Sequence, residues 1–465
     1  AGGAEKKIAI CHYPPENPSN KQILEISESA IEAHLAHGDS FGVCEQTATP
    51  SVVTTPAAVP VSLETEADLQ KEISNLQSKL SGISSGTSEY SAILSKISAL
   101  QGRLAKLKSA NALINSDIIQ IGLNIGKNLC VLTKNGLVYC QNQDMWAKKE
   151  SYSGTLLSFT DNSFTVVPRL TDVASIATGG EYFACAVKKD GSAYCWGNNG
   201  YGPLGDGTFA DKLEPVQVFG LGPGTTASIS LGSIHACALK IDGSVVCWGS
   251  NDSLWGGGQL GDGTKEWMRS KPTQVVGLGP GSTSALFSYY FGTCAIKTDN
   301  SIVCWGGVHA SGYSGVNKPV KISQNLGTVK SLSLGSKSTC ALKTDGSVVC
   351  WGTNYCGQLG NGTKTGAATP TQVIGLGPGS TSAISSEDGY YSSALKTDGS
   401  VVTWGCAAPG DGTVFNKYTP VQVSGLSVGT TAAIANNVSC AIKTDGRVAC
   451  WDEMVRVPAS VPGLK

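Results

Sequence analysis

Charge is scarce in this chain of 465 residues: Asp, Glu, Lys and Arg make up 15% of it, and the formal net charge is −1. No basic tail or patch gives the electrostatic footprint that nucleic acid requires. No run of eighteen apolar residues occurs, so no transmembrane segment is expected. Histidine is rarer still, five in all, and His235 and His309 stand isolated, which leaves no serine–histidine–carboxylate set in view. Carboxylate pairs do not recur at matching positions either. The Gly-Leu-Gly-Pro-Gly runs at Gly220, Gly277 and Gly375 lack the Lys-Ser/Thr of a phosphate loop and read as turns. The Leu-Gly-Asp-Gly-Thr runs at Leu204 and Leu260 carry Asp206 and Asp262 but not the density of oxygen ligands that calcium takes. Catalysis is therefore not the expected activity.

Cysteine, by contrast, is plentiful and patterned. The stretch Thr339-Cys340-Ala341-Leu342-Lys343-Thr344-Asp345-Gly346-Ser347-Val348-Val349-Cys350-Trp351-Gly352 recurs with small changes. Copies start at Cys130, Cys185, Cys237, Cys294, Cys340, Ser393 and Cys440, at intervals of 46 to 57 residues, a period that suits propeller blades. In the copy at Cys237, apolar runs flank Ile241-Asp242-Gly243, a hairpin loop with glycine in the left-handed position. Pairing Lys240 with Ser244 sets Leu239 against Val245, Ala238 against Val246 and Cys237 against Cys247. Directly opposed residues come close enough for a disulfide. The ten-residue separation repeats in Cys130 and Cys140, Cys185 and Cys195, Cys294 and Cys304, Cys340 and Cys350, and Cys440 and Cys450. The sixth copy has Ser393 and Thr403 instead. Zinc ligands cluster at shorter spacing, so a hairpin staple is the expectation. Sixteen cysteines, most of them paired by spacing, point to an oxidising compartment.

The hairpin is followed by Trp351-Gly352-Thr353-Asn354-Tyr355-Cys356-Gly357-Gln358-Leu359-Gly360-Asn361-Gly362-Thr363, with similar runs from Trp196 to Thr208 and Trp248 to Thr264. Together the two halves closely resemble the regulator of chromosome condensation repeat, over roughly residues 110–465. The resemblance implies a mainly β, seven-bladed propeller and carries no activity with it. The exchange-factor role of the nuclear branch is not expected of so weakly charged a chain. The tryptophans at 196, 248, 305, 351, 404 and 451 read as packing residues. Strands at Ile118–Ile121 and Val455–Leu464 are expected to share one blade and close the ring, leaving no naked edge.

Ahead of the propeller, residues 1–44 form a small module bounded by Cys11 and Cys44. His12, His34, His37 and Asp39 fall inside it, and three imidazoles with a carboxylate suit zinc or copper. A plain staple with polar histidines fits the same residues. The run resembles a Cys-His-x-Pro-Pro … His-Leu-x-His-Gly-Asp … Cys module of secreted bacterial proteins; Cys-x-x-Cys-His is absent, so haem is not expected. Residues 45–62, rich in Thr, Pro and Val, read as a tether. Residues 63–108 hold two helices of about 20 residues, with seams Leu69, Ile73, Leu76, Leu80 and Ile93, Ile97, Leu100, Leu104, Leu107 that predict an antiparallel hairpin. The propeller is assigned residues 109–465.

Cys356 and Cys406 remain, in matching loops of adjacent repeats, and are expected to tie the two together. Trp255 and Trp267 lie in an irregular insertion, Ser250 to Ser270, and are candidate partner-binding residues. The amino end Ala1-Gly2-Gly3-Ala4 is read as the mark of signal cleavage, hence a secreted or surface location. Three functions follow as expectations: an extracellular structural or adhesive protein that self-assembles into a filament, a secreted protein-binding or inhibitor propeller, and metal capture by the amino-terminal module.

Overall fold

The computed structural model describes residues 7–12, 22–27, 40–41, 66–83, 87–114, 118–123, 129–141, 164–178, 183–251, 257–307, 315–322, 326–335, 338–387, 390–407, 410–435, 439–451, 457–461 and 464. Two compact units divide the chain, Ala1–Glu64 and Thr65–Lys465. In the first, strand Lys7–His12 pairs antiparallel with Gln22–Ser27 on one side and Ser40–Phe41 on the other. Cys11 sits opposite Ile23 in that sheet. Its expected partner Cys44, with His34, His37, Asp39 and the tether at 45–62, lies outside the described residues.

The second unit opens with helices α1 (Glu66–Leu80) and α2 (Ser88–Ile114). Their seams meet as the spacing requires: Leu69, Ile73, Ile97 and Leu100 are buried, with Leu76, Leu80, Ile93 and Leu104 packed beside them. The helices are unequal, 15 and 27 residues, rather than matched at about 20. Good helix formers from Leu104 to Leu113 carry α2 past residue 108. Thr87 caps its start, its Oγ1 accepting from the Tyr90 N–H at 3.1 Å. No helix among the described residues is long and apolar enough to cross a membrane.

Seven four-stranded antiparallel sheets follow, each from one contiguous stretch of chain. The first strands of blades 1 to 7 are Ile118–Leu123, Val173–Thr178, Thr226–Leu231, Thr283–Tyr289, Val329–Leu334, Thr381–Glu387 and Thr431–Ile434. The last strands are Phe164–Val166, Lys212–Gln217, Met268–Gln274, Val316–Lys321, Ala367–Gln372, Lys417–Gln422 and Ala459–Ser460. The first strands surround a central channel of about 460 Å³ lined by serines, including Ser175, Ser228, Ser230 and Ser331, and by apolar residues that are mostly Ile and Leu.

The hairpin register is the one the repeat dictates, with Cys237 opposite Cys247 and Leu239 opposite Val245. Six blades carry the staple, and in each it joins the two cysteines that the ten-residue spacing pairs. The bonds are Cys130 to Cys140, Cys185 to Cys195, Cys237 to Cys247, Cys294 to Cys304, Cys340 to Cys350 and Cys440 to Cys450. Their Cα separations are 4.0 to 4.1 Å. Blade 6 pairs Ser393 with Thr403 in the same place.

Ring closure departs from expectation. Ala459–Ser460 pairs with Val448–Cys450 of its own blade, and Ile118–Leu123 pairs within blade 1, so among the described residues no sheet holds strands from both ends. Blade 1 needs no borrowed strand, because the chain beyond Gln141 returns as Phe164–Val166 and fills the fourth place. The seam closes by side-chain burial instead: Ile118, Ile121, Leu129 and Val131 pack with Ile442, Val448, Val461 and Leu464. Each last strand therefore stands at the edge of its sheet. Pro215, Pro272, Pro319, Pro370 and Pro420 sit in those strands, and proline on an edge strand obstructs further pairing. The last strand of blade 1 has no such proline, and α2 runs against it.

Blades are locked to each other by tryptophan. Trp248, Trp305 and Trp404 are wholly buried and donate their indole N–H to the carbonyls of Pro203, Gln259 and Gln358 in the preceding blade, at 2.7, 3.0 and 3.0 Å. Each ring lies on a glycine of that blade. A Cβ on Gly205, Gly261 or Gly360 would stand 2.6 to 2.9 Å from the nearest indole atom. Gly360→Ala is thus expected to cost about 2–4 kcal/mol through overpacking and a left-handed backbone, whereas Gly377→Ala, with open space around it, should stay within about 0.5 kcal/mol. Denaturant melts of the two variants check the contrast. Ser393→Cys with Thr403→Cys should install the missing staple and add about 2 kcal/mol; an unchanged midpoint in the oxidised protein would refute that.

Candidate interaction face

In an up-and-down blade the first-to-second and third-to-fourth connections leave from one rim of the ring, and the second-to-third turns leave from the other. The two rims differ in chemistry. On the hairpin-turn rim, the Lys-x-Asp-Gly turns neutralise themselves: Lys240, Lys343 and Lys396 reach Asp242, Asp345 and Asp398 at 3.3, 3.5 and 2.9 Å. The Ser400 hydroxyl, aided by its own N–H, holds the Asp398 carboxyl down to about 2. Each such aspartate also anchors the turn after the last strand, as where the Gly281 N–H donates to the Asp242 carbonyl at 2.7 Å. The exposed aromatic Phe219, in the turn after the last strand of blade 2, lies under the Lys271 ammonium at 4.3 Å.

The opposite rim is built on asparagine. Three residues after the packed tryptophan, Asn199, Asn251 and Asn354 are buried at the roots of the long connections of blades 2, 3 and 5. The Asn354 amide donates to the Thr363 and Thr365 carbonyls at 2.9 and 3.1 Å, while its Oδ1 accepts from the Leu359 N–H at 2.9 Å. Asn199 does the same with the Thr208 and Ala210 carbonyls and the Leu204 N–H. Held in this way, the connections of blades 2, 3 and 5 present Tyr201, Phe209, Trp267 and Tyr355 to solvent, and Phe415 and Tyr390 join them from blade 6. Trp267 is 67% and Phe415 72% exposed. Carboxylates between them are already paired: Asp262 with Arg269 at 3.3 Å, Asp411 with Lys417 at 2.5 Å, and Glu266 also with Arg269.

Of the two candidate partner-binding residues, Trp267 stands on this rim and Trp255 lies outside the described residues. Tyr201, Phe209, Tyr355, Tyr390 and Phe415 were not among the residues that the sequence singled out. A signal existed for two of them, because Phe209 and Phe415 follow Gly-Asp-Gly-Thr by one and two residues, and Trp267 follows it by three. Cys356 and Cys406 are joined, tying the connections of blades 5 and 6 on the same rim. For the metal set, His12 ends its strand opposite Gln22, while His34, His37 and Asp39 fall outside the described residues. Among the described residues no three His, Cys, Asp or Glu gather as a metal site.

His235 is structural. Wholly buried between blades 3 and 4, its Nε2 lies 3.1 Å from Thr293 Oγ1, which is 3.0 Å from Ser288 Oγ. The Ser288 N–H donates in turn to Ser230 Oγ at 2.7 Å. Burial pushes the His235 imidazole down to about 4, from 6.5.

Models of the regulator of chromosome condensation (RCC1) repeat match residues 173–202, 190–239, 227–253 and 329–358. Human E3 ubiquitin-protein ligase HERC2 is 38% identical over 99 residues, 21% of this chain and 2% of the ligase. The mitochondrial RCC1 domain-containing protein RUG3 of Arabidopsis thaliana is 31% identical over 134 residues, 29% of each. The chain thus spans less than a third of either relative. Among solved structures, human WBSCR16 superposes with a TM-score of 0.57 at 19% identity, over 69% of this chain and 85% of that one. Yeast RCC1 (Prp20), solved bound to Kap60, gives 0.54 at 18% identity, over 66% and 75%. At such identity the likeness speaks for the fold alone. The chain carries RCC1 repeats arranged as a seven-bladed propeller, a scaffold often used to bind proteins.

The buried histidine sets a pH dependence. Unfolded His235 takes up a proton below about 6.5 and the folded one does not until about 4, so stability is full above 6.5 and falls as pH drops from 6.5 to 4. The loss should approach about 3 kcal/mol. Urea melts at pH 7 and pH 4.5 should show a smaller drop for His235→Gln than for the parent; equal drops would exclude the histidine as the source.

Proposed function

We propose that this protein is an extracellular binding propeller that docks a protein partner on its asparagine-rooted rim. The observation that carries the reading is the concentration of exposed aromatic side chains, Tyr201, Phe209, Trp267, Tyr355, Tyr390 and Phe415, on one rim of a rigid ring. Aromatic side chains bring large apolar area at low entropic cost and are enriched in interface hot spots. The neighbouring carboxylates already have intramolecular partners, which suits a partner recognised by shape and apolar area. Hairpin staples in six blades support residence in an oxidising compartment.

A structural or adhesive role, with the chain assembling on itself, is the form of this proposal in which the partner is a second copy. Prolines in the outer strands disfavour strand-to-strand growth, so assembly of that kind would also use the aromatic rim. A photo-crosslinking residue at Tyr355 tests both forms in native source material. One protein recovered at fixed stoichiometry supports partner binding, and recovery of the chain itself supports self-assembly. The variant Phe209→Ser, Trp267→Ser, Phe415→Ser should weaken the captured complex by at least about 100-fold with an unchanged melting temperature. Undiminished affinity would sink the proposal. Because the rim carboxylates are paired, raising salt should change that affinity little.

A further inference from the structure

The third-to-fourth connection of blade 6 lacks the feature that organises those of blades 2, 3 and 5. Three residues after the packed tryptophan it has Ala407, where the others have Asn199, Asn251 and Asn354. Ala407 adopts φ 41° and has no polar side chain to gather the returning chain; its N–H donates to Asn416 Oδ1 at 2.9 Å. The connection is instead tied at its root by Cys406, bonded to Cys356 of blade 5, whose own N–H donates to Gln358 Oε1 at 3.0 Å. This bridge differs from the hairpin staples. Cys356 and Cys406 are 9% and 8% exposed, whereas no hairpin cysteine exceeds 2%. The connection it roots carries Val414 and Phe415, the latter the most exposed aromatic of the rim.

We infer that the Cys356–Cys406 bond does the work of the missing asparagine, positioning the Phe415 segment for binding, and that a dithiol reductant releases this segment ahead of any hairpin staple of the propeller. The inference rests on the binding role proposed for this rim. In the reaction a thiolate of the reductant attacks one sulfur of the bridge and displaces the other; its second thiol then resolves the mixed disulfide. Two electrons and two protons pass to Cys356 and Cys406, which become thiols, and the reductant leaves as its own disulfide. Accessibility to the attacking thiolate decides the order, so the bridge, less deeply buried than any hairpin staple, reacts first. The released segment keeps its other ties, Asp411 to Lys417 at 2.5 Å and the Ser424 N–H to the Gly410 carbonyl at 2.7 Å. Loosening is therefore local.

The full chain, titrated with dithiothreitol, alkylated and analysed by peptide mass spectrometry, tests the order. Cys356 and Cys406 should label while the twelve hairpin cysteines remain protected; simultaneous labelling would overturn the inference. At the concentration that labels the pair, amide exchange across residues 406–416 should rise about tenfold, with residues 199–211 unchanged. Unaltered exchange across 406–416 would overturn it equally. Cys356→Ser with Cys406→Ser should reproduce the fast exchange, and adding Ala407→Asn should restore much of the protection, since asparagine accepts a left-handed backbone; no restoration would refute the equivalence of bond and asparagine. Labelling and exchange are read without a partner, so they stand or fall apart from the binding proposal. Loss of the crosslinked complex on the same reduction ties the two together.

Discussion

Three joints of the ring depend on a contact one atom deep: the indole of one blade resting on a bare glycine of the blade before. Trp248 on Gly205, Trp305 on Gly261 and Trp404 on Gly360 bring a large apolar surface and an N–H donor to the same point. The glycine is required twice, by the space and by its positive φ. Because the indole donates to a backbone carbonyl, the contact sets an angle between blades as well as burying area. Sheets alone do not do this, since each ladder stays within its own blade. The hydrogen bonds from Gly207, Gly263 and Gly362 N–H to carbonyls of the following blade's outer strand, each at 2.8 Å, fasten the same joint further out.

Much of this was legible in the residues, and the reason is local. A disulfide spacing of ten around an Asp-Gly turn admits one hairpin register, and the register found pairs Cys237 with Cys247. The same spacing places Cys140, Cys195 and Cys304 opposite Cys130, Cys185 and Cys294. The tryptophans were readable as packing residues, and the seams at Leu69 and Ile97 as a helical pair, because each pattern lies within a few turns of chain. Ring closure was not legible. Whether the fourth place in blade 1 goes to Phe164–Val166 or to the carboxyl end turns on the path of the chain between Gln141 and Phe164, where the repeat is least regular. The aromatic rim was only half legible for a related reason. Phe209, Trp267 and Phe415 follow the same Gly-Asp-Gly-Thr turn at unequal distances, so strict alignment of the repeats scatters them, and only the fold brings them to one side.

The departures from the repeat share a pattern. Blade 6 has lost both its staple and its asparagine, and its connection takes support from blade 5 through Cys406. Blade 1 lacks the edge proline and takes cover from α2. In each case a generic element has been dropped and a specific one supplied from a neighbour. The exposed aromatics belong to the same class of departures, since Lys364 holds the position in blade 5 that Phe209 holds in blade 2.

A ring whose sheets, among the described residues, do not mix its two ends has a history written into it. Each blade can complete its own ladder as soon as its stretch of chain leaves the ribosome, because every strand partner is close in sequence. Closing the ring then requires only the burial of Ile118, Ile121, Val461 and Leu464 against one another, a step with no register to find. A blade could be duplicated or deleted in the gene without obliging any strand elsewhere to change partner. Such a ring can grow or shrink over evolutionary time by whole repeats, with only the seam left to adjust.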